Sequence, residues 1–494
     1  MKTPGPGSAA DAPPAPRFSV DTRPLWRIVL PLAAYVGLWG LAVAILWWGM
    51  TAAPPEGLTE QGQRALAVFS VCVLFWVLNV LPLMVTSLMA IVLIPLTGVL
   101  SPSQAYGLFG NEALFFILGA FILAACLMKS GLSTRIALAV LDRFGRTPRG
   151  LLRSVLLLNV VMAFFMSEHA VAAMNFPIIA EMTKVLRLPG RRSQYGKALF
   201  LAMAWGSTIG GVATLLGGAR APLAIGILRE TTGQSFTFFE WSAAIFPLVI
   251  VLAVVADLLL SWFFPIDIDS VQAADEVLHE RRLRLGRMRY QERAIGLVML
   301  GTLGAWIFLG EEFGLANVAI AAVVVLFFLR LVRWTEIEGY VNWGVLLMYG
   351  GAICLGSALS RSGAASWLAH ATLSEWASSG TVVILLLSAI SLLLTEAMSN
   401  SAVVAMLLPM SLGMAGESGL DPRVLALTIA VPAGLATTLP IGTPANAIAY
   451  SSGYLSLRDM IVPGAVLAFC AWVCFNIMAV VYWPLLGLYI GGGR

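Results

Sequence analysis

The chain has 494 residues, of which 59% are hydrophobic and only 11% are charged, with a formal net charge of +4. Its mean hydropathy is +0.88. This composition excludes an ordinary soluble domain and indicates a polytopic membrane protein. The net charge is small for the length, so it gives no indication of nucleic-acid binding.

The chain begins with a segment rich in proline, alanine and glycine, residues 1–24, which lacks the apolar core of a signal peptide. We predict a disordered cytoplasmic tail there. The first apolar run, residues 28–50, is long enough to span a bilayer. The expected total is about eleven spans, and the later ones cover residues 64–81, 83–100, 113–130, 198–228, 241–264, 294–310, 315–332, 343–360, 424–453 and 461–487.

An apolar stretch at about residues 151–183 carries a polar tip, Ser167-Glu168-His169, near its centre. At about 20 residues per crossing, the stretch is too short for two spans. Arginine and lysine flank it on both sides, so the positive-inside rule places both of its ends in the cytoplasm. It is therefore predicted to be a re-entrant hairpin that enters from the cytoplasm.

The sequence around this tip occurs twice in the chain. Residues 166–177, MSEHAVAAMNFP, align without a gap with residues 398–409, MSNSAVVAMLLP, at an offset of 399 − 167 = 232 residues. The second copy lies in an apolar stretch at about residues 381–414, which has acidic flanks at Glu375 and Glu417. Those flanks are expected to be periplasmic. Similar segments that enter from opposite sides predict an inverted repeat.

These features together predict an all-α membrane protein built as an inverted repeat, with two re-entrant hairpins and two broken helices. The first membrane half is expected at residues 25–264 and the second at residues 294–494. A basic cytoplasmic linker, residues 265–293, is expected between them. The N-terminus is then cytoplasmic, and the C-terminus is periplasmic or extracellular, in an inner or plasma membrane.

A second kind of interruption follows each hairpin. Residues 439–448, LPIGTPANAI, contain two prolines and a glycine, which a continuous helix does not accommodate. The freed carbonyl groups need a partner, and Na⁺ accepts such carbonyls together with Ser, Thr and Asn oxygens. The helix N-termini at a hairpin tip also favour an anion. The alternative interpretation of this motif is a kinked, packed helix.

The polar motifs resemble those of the divalent anion/sodium symporters, a family of di- and tricarboxylate and sulfate transporters. That family has a Ser-Asn-Thr motif at each hairpin tip and a Gly-Thr-Pro-Pro-Asn-like loop in each broken helix. Residues 399–401, SNS, and 442–446, GTPAN, are similar to the second pair of motifs, and the resemblance extends from Leu66 to the C-terminus. It implies rigid movement of hairpin bundles against scaffold helices (an elevator mechanism), a homodimer, and Na⁺ as coupling ion without a further cofactor.

The resemblance also implies a set of site residues. The Na⁺ ligands of the second half are expected to be Ser399, Asn400, Gly442 and Asn446. The predicted substrate-binding residues are Ser167, Glu168, His169, Arg220, Ser399, Asn400, Ser401, Thr443 and Pro444. Glu396 is interpreted as a hydrogen-bonding residue behind the ligands.

The first half departs from the family pattern in a coordinated way. Its tip reads Glu168-His169 in place of Asn-Thr, and its loop, GGARAP at residues 217–222, contains Arg220 but lacks the Thr and Asn oxygens. Ionisable residues at membrane depth indicate function by default. One hypothesis makes Arg220 a built-in cation that replaces the first Na⁺, while Glu168 and His169 clamp it or carry a coupling proton. The other makes Glu168 and Arg220 a structural ion pair.

The predicted function is secondary active transport of small dianions, such as succinate, citrate or sulfate, coupled to Na⁺ through the second half. An H⁺-coupled transporter or an anion exchanger that uses Glu168 and His169 is the alternative. A zwitterionic substrate, with its amine near Glu168, also remains open. An intramembrane enzyme is disfavoured because HExxH, GxSxG and nucleotide-binding motifs are missing and His370 is expected in a loop. The inverted hairpins disfavour a passive channel.

Overall fold

The computed structural model describes residues 32–373, 379–413, 415 and 419–490. Within these residues the chain is helical and contains no strand, which confirms the all-α prediction. The tail predicted for residues 1–24 and the acidic flanks Glu375 and Glu417 of the second hairpin lie outside the described residues.

The first half contains eleven α-helices in the part of the chain that the structure describes. The helices of this half are α1 (Leu32–Thr51), α2 (Glu60–Val77), α3 (Leu83–Leu96), α4 (Pro102–Gly107), α5 (Glu112–Ser130), α6 (Leu132–Phe144), α7 (Pro148–Met162), α8 (Glu168–Val185), α9 (Gln194–Gly210), α10 (Arg220–Thr232) and α11 (Phe238–Phe263).

The linker contains one helix, α12 (Gln272–Arg284). The second half comprises α13 (Tyr290–Phe308), α14 (Gly310–Phe313), α15 (Leu315–Phe328), α16 (Trp334–Ile337), α17 (Trp343–Arg361), α18 (Ala364–Leu373), α19 (Gly380–Thr395), α20 (Asn400–Leu412), α21 (Pro422–Ala430), α22 (Pro444–Ser451) and α23 (Leu457–Val481). His370 lies in α18, so its expected position in a loop was wrong.

Four helical segments of the described chain are long and apolar enough to cross a membrane by themselves: Pro102–Ser130, Phe238–Phe263, Trp343–Arg361 and Leu457–Val481. The other apolar helices are shorter, and they include both arms of the second hairpin and the first part of the second broken helix, which do not need the full thickness of a bilayer.

The hairpins and the breaks occupy corresponding positions in the two halves. Helices α7 and α8 form the first hairpin, with its turn at residues 163–167, and α19 and α20 form the second, with its turn at residues 396–399. The first broken helix is interrupted between α9 and α10, and the second between α21 and α22. Several of these helices begin with a capping side chain followed by proline, as at Thr443 and Pro444, because proline fits the first helical position without losing a hydrogen bond.

The two halves interleave at their centre. Helix α10 of the first half packs against α20 of the second hairpin, and α22 of the second half packs against α8 and α9 of the first half. The beginning of each half-helix after a break therefore lies beside the other half of the protein. This arrangement brings Arg220, the first residue of α10, close to second-half residues.

Contacts between helix ends fall into two groups, at opposite ends of α11. One group lies on the side of the linker, here called the linker face, and includes Arg153–Asp257 and Lys197–Asp459. The other group, on the far face, includes Glu230–Arg361 and the bond from Trp483 Nε1 to the Ala244 carbonyl. The first hairpin opens toward the linker face. The second opens toward the far face, where Gly413 contacts Ala365.

Helix α12 attaches the linker to the first half. Arg282 and His279 of α12 both contact the buried Asp142 of α6, and Arg281 pairs with Glu181 at the end of the first hairpin. Burial opposes the charged form of Asp142, but the hydrogen bonds from Arg282 and His279 outweigh it and hold the pKa of that carboxyl below its ordinary value. The linker is thus a folded part of the structure, whereas the sequence indicated only a basic segment.

We predict that Asp142→Asn lowers the free energy of unfolding by about 1–3 kcal/mol at neutral pH, because hydrogen bonds to a charged group are lost. Since folding depresses this pKa, the stabilisation is complete above the ordinary aspartate value and disappears as the pH falls through the folded-state value. Melting temperatures of detergent-solubilised protein check this. The difference from wild type should vanish in acid, and the exposed control Asp269→Asn should melt like wild type at every pH. A pH-independent difference would contradict the account.

Candidate functional site

The first hairpin tip joins the first broken helix through backbone and side chain together. The Glu168 backbone N–H donates to the Gly217 carbonyl at 2.9 Å. The Ser167 hydroxyl caps α8 by accepting from the Ala170 N–H at 3.4 Å. The tip is thereby held against the loop that precedes Arg220, where the helix break leaves backbone groups without helical partners.

Glu168 and Arg220 form a buried ion pair at this junction. Arg220 Nη1 donates to Glu168 Oε2 at 3.3 Å, and the side chains are 2% and 0% exposed, respectively. Both groups are enclosed, so neither one is open to an incoming ligand in this structure. A buried carboxylate needs such a partner, because an unpaired charge in an apolar environment costs several kcal/mol.

Glycines make room for this pair. A Cβ atom at Gly434 would lie 1.9 Å from Arg220 Nε, and one at Gly211 would lie 2.6 Å from Glu168 Oε2. Gly434 belongs to the second half, in the 3₁₀ turn Pro432–Gly434 that follows α21. The guanidinium group therefore extends from the first broken helix onto the backbone of the second.

The two hairpin tips meet through Glu168 as well. Asn400 Nδ2 lies 3.5 Å from Glu168 Oε1, and the two residues are 232 positions apart, which is the repeat offset. The Thr395 hydroxyl lies 2.8 Å from Asn400 Oδ1 and 2.7 Å from the Ala433 carbonyl, next to the glycine that Arg220 covers. Together with the Glu168–Arg220 pair, these contacts form a closed ring between the two halves. Both halves contribute to it.

His169 differs from its two ionisable neighbours in its accessibility. Its side chain is 47% exposed, and Nδ1 lies 3.7 Å from Glu168 Oε1. Of the three ionisable residues predicted for this site, His169 is the one whose side chain is not enclosed by the protein. The proposal of a substrate amine near Glu168 loses support, since both carboxylate oxygens have protein neighbours and the residue is fully buried.

The second half presents uncharged oxygens at the corresponding place. Thr443 caps α22 by accepting from the Asn446 N–H at 3.2 Å. Asn446 is fully buried, and its Nδ2 donates to the Ala436 and Leu439 carbonyls at 3.1 Å each. Its Oδ1 has no hydrogen-bond partner. A buried amide oxygen without a donor is suited to a hard cation such as Na⁺.

The remaining predicted residues surround this position. Ser399 and Asn400 are half-buried at the start of α20, Ser401 is buried, and Pro444 begins α22. The structure thus brings the second tip and the second break to one region. Glu396 accepts from three backbone N–H groups of the loop 437–439.

Some residues at the site were not predicted to be site residues, although Thr395 together with Glu396 resembles the family sequence before the second tip. Thr395 and Gly434 belong to the ring of contacts, and the buried Tyr349 of α17 lies within electrostatic range of Arg220. A threonine or glycine in an apolar segment has no distinctive signal by itself. Their positions follow only from the way in which the halves interleave.

A cavity of about 530 Å³ opens at the far face, between α5, α10, α11 and α15. Its lining includes the ion pair Glu112–Arg229, and Leu215 and Pro222 bring it near the first break. None of the predicted substrate or Na⁺ residues lines this cavity. The candidate site is therefore the enclosed region between the tips.

Comparison with known proteins decides the family. Residues 35–489 match the family described as the sodium:sulfate symporter transmembrane region. The chain belongs to this family. The family prediction is confirmed, and with it the expectation that the protein is a transporter and not an enzyme.

Individual relatives agree with this assignment. The chain is 28% identical over 465 residues to the sodium-dependent dicarboxylate transporter SdcS of Staphylococcus saprophyticus, covering 88% of this chain and 89% of the relative. It is also 28% identical over 432 residues to SdcS of Staphylococcus aureus, covering 82% and 83% of the two chains.

Two solved structures share the fold at low identity. Neisseria gonorrhoeae MtrF, described within a class of antimetabolite efflux pumps, has a TM-score of 0.59 at 12% identity and covers 92% of this symporter and 100% of that chain. The YdaH transporter of Alcanivorax borkumensis has a TM-score of 0.53 at 15% identity, with coverage of 79% and 89%. Both likenesses concern the fold alone.

We predict that Glu168→Gln and Arg220→Gln each destabilise the protein by about 3–5 kcal/mol, because each leaves a buried partner uncompensated. The double variant should lose less than the sum of the two single losses, since neither charge then remains unpaired. Melting temperatures of the purified wild type, the two single variants and the double variant provide a double-mutant cycle. The exposed pair Arg153–Asp257 is the control, and its Gln and Asn variants should change stability by less than about 1 kcal/mol. If the stability losses of the Glu168 and Arg220 variants were additive, the two side chains would not be energetically coupled.

Proposed function

We propose that this symporter transports small dianions, such as succinate, citrate or sulfate, and couples their uptake to Na⁺ bound in the second half. The observation that carries the proposal is the asymmetry of the two junctions. The second half has a buried, unpartnered amide oxygen at Asn446, while the first half holds the guanidinium of Arg220 against Glu168.

The Na⁺ site is assigned to Ser399, Asn400, Gly442 and Asn446. Supporting this assignment, the Asn446 amide is oriented by two carbonyl acceptors, which leaves its Oδ1 to face away from the loop backbone. The relatives named SdcS are sodium-dependent dicarboxylate transporters, and this chain aligns with them over most of its length. Hard oxygen ligands without a net charge of their own suit a monovalent cation that must bind and leave in each cycle.

Arg220 is proposed to replace the first Na⁺. Its guanidinium lies where α10 begins, and its charge is already balanced by Glu168 at 3.3 Å. A covalently attached cation cannot dissociate, so the first half contributes no exchangeable ion. Substrate is proposed to bind between the tips, through Ser167, His169, Ser399, Asn400, Ser401, Thr443 and Pro444. Glu168 and Arg220 then shape the site from behind, because both are enclosed.

The transport cycle is proposed to move the hairpins, with the broken helices between them, as a rigid body against the other helices. The interleaved packing of α10 on α20 and of α22 on α8 supports this, since it joins the two hairpins into one unit. The linker face is proposed to be cytoplasmic because the arginines of α12 lie there. The protein is further proposed to be a homodimer in an inner or plasma membrane.

The exposure of His169 supports a second candidate function, in which a proton replaces or accompanies Na⁺. Histidine is the side chain that proteins most often use to exchange protons, and this one lies 3.7 Å from a buried carboxylate. In this candidate, Glu168 and His169 form the coupling site. Uptake would then follow an imposed H⁺ gradient and would be lost in His169→Asn.

We predict Na⁺-driven uptake of succinate, citrate or sulfate into proteoliposomes, with a Hill coefficient for Na⁺ of about one, because one exchangeable site remains. Na⁺ and H⁺ gradients are imposed separately, and initial rates are measured over a series of Na⁺ concentrations. The control variant Asp269→Asn, at an exposed position of the linker, should behave like wild type. A Hill coefficient clearly above one would rule out Arg220 as the replacement of an ion. Uptake driven only by H⁺ would favour the second candidate.

A further inference from the structure

Glu396 forms several hydrogen bonds to the backbone of the second broken helix. It follows α19 at the second tip, and its Oε1 accepts from the backbone N–H groups of Thr437 and Thr438 at 2.9 Å each. Its Oε2 accepts from the Leu439 N–H at 2.8 Å. One carboxylate thus satisfies three consecutive donors, which the helix break leaves without helical acceptors.

The same loop residues hold the Asn446 side chain. Nδ2 of Asn446 donates to the carbonyls of Ala436 and Leu439, at 3.1 Å each, on either side of the peptide units that Glu396 binds. Because both amide hydrogens are used, the Asn446 amide cannot rotate without losing hydrogen bonds. Its unpartnered Oδ1 is therefore fixed in direction by a chain of contacts that begins at Glu396.

Gly442 adds a second connection between Glu396 and the predicted ion ligands. A Cβ atom at Gly442 would lie 2.8 Å from Glu396 Oε2 and 3.1 Å from the Ala436 side chain. The carboxylate therefore packs directly against the backbone of this predicted ligand. A side chain at position 442 would displace either the carboxylate or the loop.

The first half lacks this arrangement. The repeat offset of 232 residues places Phe164 at the position that corresponds to Glu396. There the tip and the loop are joined instead by the Thr214 hydroxyl, which donates to the Phe164 carbonyl at 2.8 Å. The Glu396 carboxylate with its three N–H donors therefore lies at the helix break where the Asn446 oxygen is unpartnered, and the break that holds Arg220 has no such carboxylate.

We propose that Glu396 is a positioning residue that sets the Na⁺ affinity of the second-half site. This rests on the proposed function, since it assumes that Asn446 and Gly442 bind the coupling ion. Glu396 acts in two ways without touching the ion. It fixes the loop that orients Asn446 Oδ1, and its negative charge lowers the energy of a cation nearby. Residues behind a metal ligand commonly change affinity by roughly 10–100-fold when they are replaced.

The test uses Glu396→Gln and Glu396→Asp in the full-length protein, with two readouts. The first is succinate uptake into proteoliposomes over a series of Na⁺ concentrations. The second is the rise in melting temperature when Na⁺ replaces choline without substrate, which reports ion binding apart from transport. Glu338→Gln, at an exposed glutamate outside the hairpins, is the matched control.

For Glu396→Gln we expect the Na⁺ concentration for half-maximal uptake to rise by roughly 10–100-fold. The maximal rate at saturating Na⁺ should change little, because the substrate contacts remain. The Gln amide NH₂ would face backbone N–H groups, so hydrogen bonds to the loop are lost together with the negative charge. The Asp variant keeps the charge on a shorter side chain and should recover part of the affinity. The Na⁺-dependent rise in melting temperature should fall in the same order.

Three outcomes would overturn the inference. If folded Glu396→Gln keeps the wild-type Na⁺ dependence in both readouts, Glu396 does not set the affinity. If only the maximal rate falls, Glu396 acts on transport and not on ion binding. If wild type shows neither Na⁺-driven uptake nor Na⁺-dependent stabilisation, the proposed Na⁺ coupling fails and this inference fails with it. The wild-type measurement therefore separates the two failures.

Discussion

Each helix break in this protein has to be satisfied within an apolar bundle, and most of the central structure follows from that requirement. A broken helix exposes N–H and C=O groups that neither lipid nor apolar side chains can bind. In the second half, the Glu396 carboxylate and the Asn446 amide supply partners for these groups. In the first half, the Glu168 N–H binds the Gly217 carbonyl. The hairpin tips lie where they do because they provide these partners.

The two halves meet the same requirement with different charges. In the first, a carboxylate and a guanidinium neutralise each other inside the protein at 3.3 Å. In the second, a carboxylate binds backbone donors, and a neighbouring amide oxygen stays free. The charges of the first junction thus balance without any ion, although Arg220 Nη2 is buried without a hydrogen-bond partner. The second junction is completed by a cation under the proposed function. Under the same proposal, the cation of the first half is fixed to the chain, and the cation of the second half exchanges with solution.

Much of this organisation was predictable from the sequence, for physical reasons. Segment lengths and flanking charges located both hairpins, and the gapless repeat related them at an offset of 232 residues. The ionisable residues Glu168 and Arg220 stood out because charges are rare in apolar segments. Helix α12 was missed because a charged surface helix has no apolar periodicity to reveal it.

The contacts between the halves were beyond sequence reasoning. Glu168 with Asn400, and Arg220 with Gly434, depend on how α10 and α22 cross to the opposite half, which is a property of the tertiary packing. The same holds for the direction of Asn446 Oδ1. Glu396 was expected to form hydrogen bonds behind the ligands, but its three backbone partners became visible only in the folded loop.

The close approach of Arg220 to Gly434 has a consequence for how this family diverges. A Cβ atom at Gly434 would lie 1.9 Å from the guanidinium, so a larger residue at position 434 would displace the guanidinium from its present position beside Glu168. Glu168 must be present as well, because the arginine would otherwise be a buried, unbalanced charge. A homologue with an arginine at position 220 is therefore expected to keep glutamate at position 168 and glycine at position 434, whereas loss of the arginine leaves both of these positions free to change.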